Sequence, residues 1–159
     1  MDNIRAVLFD LDGTIYYGSK LIPGADRVVN KYRQEGKKIF FMTNNSTKSR
    51  KQIWEKLTGM GLKCSYDEVY TSGYAAALYA KQMGYHTVYI MGSKALEEEF
   101  GELDITVSDQ AEVVIVGYDQ YNTYLLDPST GEVKPYGMND STALFQSAGN
   151  VFITYLDQK

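Results

Sequence analysis

Apolar residues along this chain fall in short runs separated by polar turns, and the period of the pattern changes from run to run. Ile4 to Phe9, interrupted only by Arg5, is a continuous run of strand length, and Lys38-Ile39-Phe40-Phe41-Met42 is another. Runs of this kind predict buried strands. Between them, Pro23-Gly24 opens a predicted helix through about Glu35, with Val28, Val29 and Tyr32 as its apolar stripe and Gly36 as its stop. A second helix is predicted from about Lys48 to Met60, with Trp54 and Leu57 on one face and Gly61 closing it. Val69-Tyr70-Thr71-Ser72 predicts a third, shorter strand, followed by an alanine-rich helix from Gly73 to about Met83. Alternation of strand and helix at this spacing means βαβ units with right-handed crossovers and a parallel sheet. Thr14 to Ile22, with Gly18-Ser19 at its centre, interrupts the alternation as a short hairpin.

A second α/β pattern starts at His86. Thr87 to Met91 predicts a strand, Ser93 caps a helix, and Glu97, Glu98 and Glu99 on that helix read as a solvated face. Ile105-Thr106-Val107 and Glu112 to Gly117 predict two more strands. From Tyr121 the pattern changes to a hairpin, Thr123–Leu126 and Glu132–Pro135 around an Asp127-Pro128-Ser129-Thr130-Gly131 turn. A helix from Asp140 to Ala148, stopped at Gly149-Asn150, and a strand from Val151 to Tyr155 complete the expectation. The division expected is therefore 1–84 and 85–159, with no internal repeat.

Composition narrows the class without choosing a function. A length of 159 residues suits one domain and a fraction, and 44% apolar with 23% charged residues is globular composition. A net charge of -4 with scattered Lys and Arg argues against nucleic acid or a membrane surface as partner. Cys64 is the single cysteine, so no intrachain disulfide is expected and a reducing compartment fits. Met1-Asp2-Asn3 has no signal-like pattern, and no run approaches the ~18 apolar residues of a membrane span. The expectation is a cytoplasmic protein.

The chemistry lies at two strand ends. The first strand stops in Asp10-Leu11-Asp12-Gly13-Thr14. Burying charge costs several kcal/mol unless it is paired or metal-bound, and open α/β sheets bind ligands at strand carboxyl ends. The acids therefore read as a site. Thr43-Asn44-Asn45-Ser46 ends the second strand about one βαβ unit later, which brings Asp10, Asp12, Thr43 and Asn44 to one rim. The simplest chemistry for such a set is phosphoryl transfer through an acyl phosphate. One carboxylate attacks phosphorus, and the other protonates the leaving oxygen and later activates water. A hydroxyl and backbone amides hold the phosphoryl oxygens. Hard oxygen ligands favour Mg²⁺ as a charge-neutralising metal.

Other residues invite less. His86 is the single histidine, which excludes histidine-rich metal sites, and it reads as structural or surface. Cys64 has no histidine or second cysteine near it in sequence, and Gly92-Ser93 is an isolated pair before a helix. Asp119, at a strand end, is a candidate substrate contact. Lys48 and Arg50 read as a solvated helix start beside the second polar strand end.

These stretches carry a resemblance. Phe9-Asp10-Leu11-Asp12-Gly13-Thr14 matches the first motif of the haloacid dehalogenase superfamily, and Thr43-Asn44-Asn45-Ser46 matches its second. The hairpin after Thr14 resembles that family's flap. LFDLDGTIYYG, IPGA, TNNS, YTSGYAAA and VVIVGYD are similar to the NagD-type and nitrophenylphosphatase branch, over most of residues 4 to 120. The resemblance implies an α/β fold: a Rossmann-like parallel sheet forming a partial core over 1–84, with a C-terminal α/β cap-like domain over 85–159. It implies a Mg²⁺-dependent phosphatase of small phosphate monoesters, of the phosphoglycolate, nitrophenyl phosphate, nucleotide or pyridoxal phosphate type. Asp10 is then nucleophile and metal ligand, and Asp12 is general acid/base and offers its backbone carbonyl to the metal. Leu11, Thr43 and Asn44 bind the phosphoryl group.

The family's third motif, a lysine, and its fourth, an acidic pair, have no match here. Asp119 and Asp140 fall in the cap-like stretch, Lys134 falls in the hairpin, and Tyr121 to Met138 matches the family poorly. A core of three strands would also leave the first strand with an unpaired edge. Three solutions are expected: a shortened chain, a partner or second copy over the edge, or rearranged pairing with the C-terminal strands. Three functional readings follow: a phosphatase, an inactive relative serving as a phosphate-binding or interaction module, or a fragment with no independent function.

Overall fold

A computed structural model of the chain describes residues 3–117, together with the backbone of 122–126 and 133–137. Its contacts divide the chain into Met1–Tyr118 and Asp119–Lys159.

The first apolar run becomes β1, Ala6–Asp10, and the second becomes β4, Lys38–Thr43. With β5, Val69–Thr71, they form a parallel sheet in the order β1-β4-β5. Between β1 and β4 lie the small hairpin of β2 (Tyr16–Tyr17) and β3 (Lys20–Leu21), then helix α1 (Ala25–Gln34). Helix α2 (Arg50–Gly59) and a short 3₁₀ turn at Tyr66–Glu68 link β4 to β5. The pleat points alternate residues to opposite faces. Ile39, Phe41 and Val69 therefore pack with Val29 of α1 and with Ile53 and Leu57 of α2, and Val7 and Phe9 close over that core. Each such side chain contributes roughly 1.5–3 kcal/mol when buried.

The other face of this sheet differs from expectation. Leu8 is 59% exposed and Met42 41% exposed, and Phe40 and Tyr70 meet edge to face beside them. The apolar runs predict strands covered on both sides, but α1 and α2 cover only one. The outer edge of β1 pairs with no described strand.

The second parallel sheet has the order β7-β6-β8, built from β6 (Thr87–Met91), β7 (Thr106–Val107) and β8 (Val113–Val116). Val88 and Ile90 pack on Ala77 and Ala80 of α3 (Ser72–Gln82) and on Leu96 and Phe100 of α4 (Lys94–Gly101). Helix α3 starts at Ser72, which the sequence pattern assigns to the strand. Thr71 caps it, its Oγ1 accepting the Tyr74 amide at 3.0 Å. The expected hairpin is present as antiparallel β9 (Asn122–Leu126) and β10 (Val133–Gly137), paired with one another. The helix expected at 140–148 and the strand at 151–155 lie outside the described residues.

Candidate active site

Asp10 closes β1 and is exposed at its carboxyl end. The next residue, Leu11, is fully buried and acts as the anchor of the turn. Its carbonyl accepts the amides of Thr14, Ile15 and Tyr16 at 3.2, 2.9 and 3.1 Å. Gly13 sits at φ 79, a left-handed conformation that glycine adopts without strain, and donates its amide to the Tyr16 carbonyl at 2.8 Å. The chain thus doubles back after one residue, leaving Asp12 exposed next to Asp10. With its side chain in the core, Leu11 presents only backbone to this rim.

Asp12 has a fixed partner. The Tyr16 hydroxyl donates to its Oδ2 at 3.2 Å, and the Lys56 ammonium stands 3.6 Å over the Tyr16 ring. Burial, then the charge of Asp12 and the bond to it, push the Tyr16 pKa up to about 12. Tyr16 therefore keeps its proton at neutral pH and orients Asp12 as a donor.

Thr43 ends β4 one register step beyond Met42, which pairs with Asp10. Its side chain is buried, and Oγ1 accepts the Asn45 amide at 3.2 Å. Asn45 in turn accepts the amide and hydroxyl of Thr47 at 2.9 and 2.7 Å, closing a side-chain turn. Asn44 is exposed, and its carbonyl accepts the Ser72 hydroxyl at 3.1 Å. Asp10, Thr43 and Asn44 line one cleft of about 280 Å³ with Tyr70 and Ser72. Asp12 lines a second cleft of about 340 Å³ with Tyr16, Lys48, Gln52 and Lys56.

The remaining candidates divide. Lys48 is exposed, as its sequence context suggests, and faces the Asp12 cleft. Arg50 does not fit that reading: it is only 5% exposed. Its Nε donates to the Val69 carbonyl at 2.8 Å, Nη2 donates to the Tyr66 carbonyl at 3.2 Å, and Nη2 lies 3.3 Å from the Asp67 carboxylate. The guanidinium stacks on the rings of Tyr66 and Tyr74 at 4.3 and 4.0 Å. Glu99 also departs from the solvated face expected of it. It is 1% exposed, and its Oε1 accepts the Arg50 amide at 2.5 Å and the Thr71 hydroxyl at 2.7 Å. Burial raises its pKa. A signal was available in each case. Leu96, Glu99, Phe100 and Leu103 follow an i, i+3, i+4, i+7 spacing, and Arg50, Ile53 and Leu57 share a helix face.

Cys64 is half-buried, and burial pushes its thiol up to about 11, which suits a structural cysteine. His86 is exposed and donates its amide to Glu112 at 2.7 Å. Ser93 occupies the cap position of α4, but its hydroxyl donates to the Ser46 carbonyl at 2.9 Å instead of capping the helix. Asp119 and Asp140 lie outside the described residues, and Lys134 lies on β10. Among the described residues, no group of three His, Cys, Asp or Glu side chains could hold a metal by itself. No described helix is long and apolar enough to cross a membrane.

Carboxylates and a hydroxyl gathered at the carboxyl ends of adjacent parallel strands belong to an α/β fold, whose candidate ligand site is that rim. The haloacid dehalogenase-like hydrolase family model matches residues 7–106, and the chain belongs to that family. It is similar to phosphoglycolate phosphatase 1A, chloroplastic, of Arabidopsis thaliana, 37% identical over 102 residues that cover 62% of this chain and 28% of that protein. It is 34% identical over 109 residues to the 4-nitrophenylphosphatase of Schizosaccharomyces pombe, covering 66% and 37% of the two chains. Its fold is also that of NagD from E. coli K-12, with a TM-score of 0.67, 23% identity and coverage of 74% and 47%. The chain therefore spans less than half the length of each of these relatives.

Proposed function

We propose that this chain carries the nucleophile and phosphoryl cradle of a phosphatase acting on small phosphate monoesters. The observation that carries the reading is the single cleft lined by Asp10, Thr43 and Asn44 at adjacent strand ends. In this reading a carboxylate oxygen of Asp10 attacks phosphorus, forming an aspartyl phosphate as the bond to the ester oxygen breaks. Asp12 gives its proton to that departing oxygen. It then takes a proton from the water that attacks phosphorus, releasing phosphate and restoring Asp10. Tyr16 holds Asp12 by donating to Oδ2, so the carboxyl turns one oxygen to the reaction and the other to its support. The Thr43 hydroxyl, the Asn44 amide and the Leu11 backbone bind phosphoryl oxygens.

The donor set at the rim is all oxygen and offers two carboxylates. That suits Mg²⁺, which binds through one or two carboxylates, waters and substrate phosphate. Asp10 and the Asp12 carbonyl would hold the ion, which when bound neutralises charge between carboxylate and phosphate. In the same reading, residues 1–84 are the N-terminal half of the core and 85–159 belong to a cap that selects substrate. The names of the relatives, phosphoglycolate phosphatase and 4-nitrophenylphosphatase, support a small monoester as the substrate class.

A second reading rests on a specific observation. Among the described residues, the two rim carboxylates have no third His, Cys, Asp or Glu with which to hold a metal. A relative that binds phosphate without turnover fits that arrangement. Nitrophenyl phosphate hydrolysis, with and without Mg²⁺, separates the two readings. The phosphatase reading expects Mg²⁺-dependent hydrolysis that is lost in Asp10→Asn. Equal rates for wild type and Asp10→Asn under all conditions select the binding module.

A further inference from the structure

At three glycines of the first unit a Cβ would press on the Leu96 side chain of α4. A Cβ at Gly73 would lie 2.9 Å from Leu96 Cδ1 and 3.3 Å from Glu99 Cγ. One at Gly92 would lie 2.9 Å from Leu96 Cδ2, and one at Gly117 would lie 2.7 Å from the same atom. These glycines stand at the start of α3 and just past the ends of β6 and β8. Helix α4 is thus driven against the carboxyl ends of the strands, where the loop from Thr43 to Ser49 lies.

Its polar side chains finish on that loop. Ser93, at the cap position of α4, donates to the Ser46 carbonyl at 2.9 Å. Glu99 accepts the amide of Arg50, the first residue of α2, at 2.5 Å, and the Thr71 hydroxyl at 2.7 Å. Thr71 pairs with Thr43 in the sheet register. The loop is therefore held at its middle by Ser93 and at its far end by Glu99, and the Ser72 hydroxyl takes the Asn44 carbonyl. Each tie to a loop carbonyl fixes the peptide plane whose opposite side carries an amide. The Asn45 and Thr47 amides on those planes are taken within the loop by Thr43 Oγ1 and Asn45 Oδ1, so the ties brace the turn that places Thr43 and Asn44 in the cleft.

We propose that Glu99 and Ser93 of α4 are positioning residues for the phosphoryl cradle, Ser93 fixing the Ser46–Thr47 peptide and Glu99 holding the loop's exit at Arg50, both from outside the cleft. The inference rests on the phosphatase reading for its consequence, since it is the cradle of that reading that α4 would shape. Glu99 needs only an acceptor oxygen for this task, so Glu99→Gln keeps both hydrogen bonds while Glu99→Leu removes them at similar volume. A simple space-filling role would leave Leu and Gln alike.

The test is inorganic phosphate affinity by titration calorimetry, with the amide resonances of Asn44, Asn45, Ser46 and Thr47 recorded in the phosphate-free full chain. Glu99→Leu is expected to weaken phosphate binding about tenfold and to shift those resonances, while Glu99→Gln stays within about threefold of wild type. Ser93→Ala, a smaller change that serves if Glu99→Leu does not fold, is expected to weaken binding about threefold and to shift Ser46 and Thr47. Unmoved loop resonances in Ser93→Ala and Glu99→Leu, or equal losses in the Gln and Leu variants, overturn the proposal. A wild-type chain that binds no phosphate sinks the phosphatase reading instead, and the loop resonances still decide whether α4 shapes residues 44–47.

Discussion

At the residue scale, the two acids of the rim sit one residue apart but in different surroundings. Asp10 belongs to a strand end and shares its cleft with the Thr43 hydroxyl. Asp12 is held by a tyrosine whose proton is retained to about pH 12. A carboxyl supported from one side suits proton transfer, because its orientation survives the change of charge. Asp12→Asn is therefore expected to lower turnover by ~10² to 10⁴-fold while leaving phosphate affinity close to wild type. Steady-state kinetics beside phosphate titration reads both quantities, and weakened binding with unchanged turnover would refute the assignment.

At the element scale, the decisive helix end is that of α2, which follows the loop directly. Ser49 and Gln52 form a capping box there: the Ser49 hydroxyl accepts the Gln52 amide, and the Gln52 side chain accepts the Ser49 amide at 3.1 Å. Ser49→Ala removes one arm of the box and is expected to cost about 1 kcal/mol, read as a lower midpoint in thermal or urea unfolding. Helix α4 makes a second element-scale prediction through Glu99. Burial raises its pKa in the folded chain above the ordinary 4.5, so the native state binds the proton more tightly than the unfolded chain does. The stabilisation is thus fully present below about pH 4.5 and is lost as pH rises through the folded value. Glu102 of the same region and Asp67 add negative charge near Arg50, whose cation faces Glu102 at 3.9 Å and Asp67 at 3.3 Å. Relative to wild type, Glu99→Gln should gain stability as pH climbs from 4.5 towards neutrality, measured as the difference in unfolding free energy. A difference that is flat with pH would show that Glu99 does not titrate across that range.

At the scale of the whole molecule, the described strands and helices leave one face of the first sheet open. Parallel sheets are normally covered on both faces, yet Leu8 and Met42 stand exposed on one side and the outer edge of β1 pairs with no described strand. We propose that a second copy of the chain covers this face and edge. Sedimentation at rising concentration is expected to reveal association that Leu8→Lys weakens; a cooperatively folded chain that stays monomeric throughout would remove the proposal.

Much of this molecule is written locally. The apolar runs, the glycine stops and the polar strand ends locate β1, β4, α1 and α2 within a residue or two, because periodicity and turn chemistry act over short separations. The meeting of Asp10 with Thr43 and Asn44 follows from βαβ connectivity, whereas Asp12, expected with them, lines a second cleft. What only the tertiary structure decided is whose polar groups are buried. Glu99 accepts the amide of Arg50, 49 residues away, so nothing local joins them; three glycines leave space for the Leu96 side chain of α4 where it approaches the loop. The face of β1 left open by the described residues is likewise a tertiary matter, since a continuous apolar run calls for cover on both sides and cannot say what supplies it. Sequence determined the chemistry offered at the strand ends. The fold determined what steadies it.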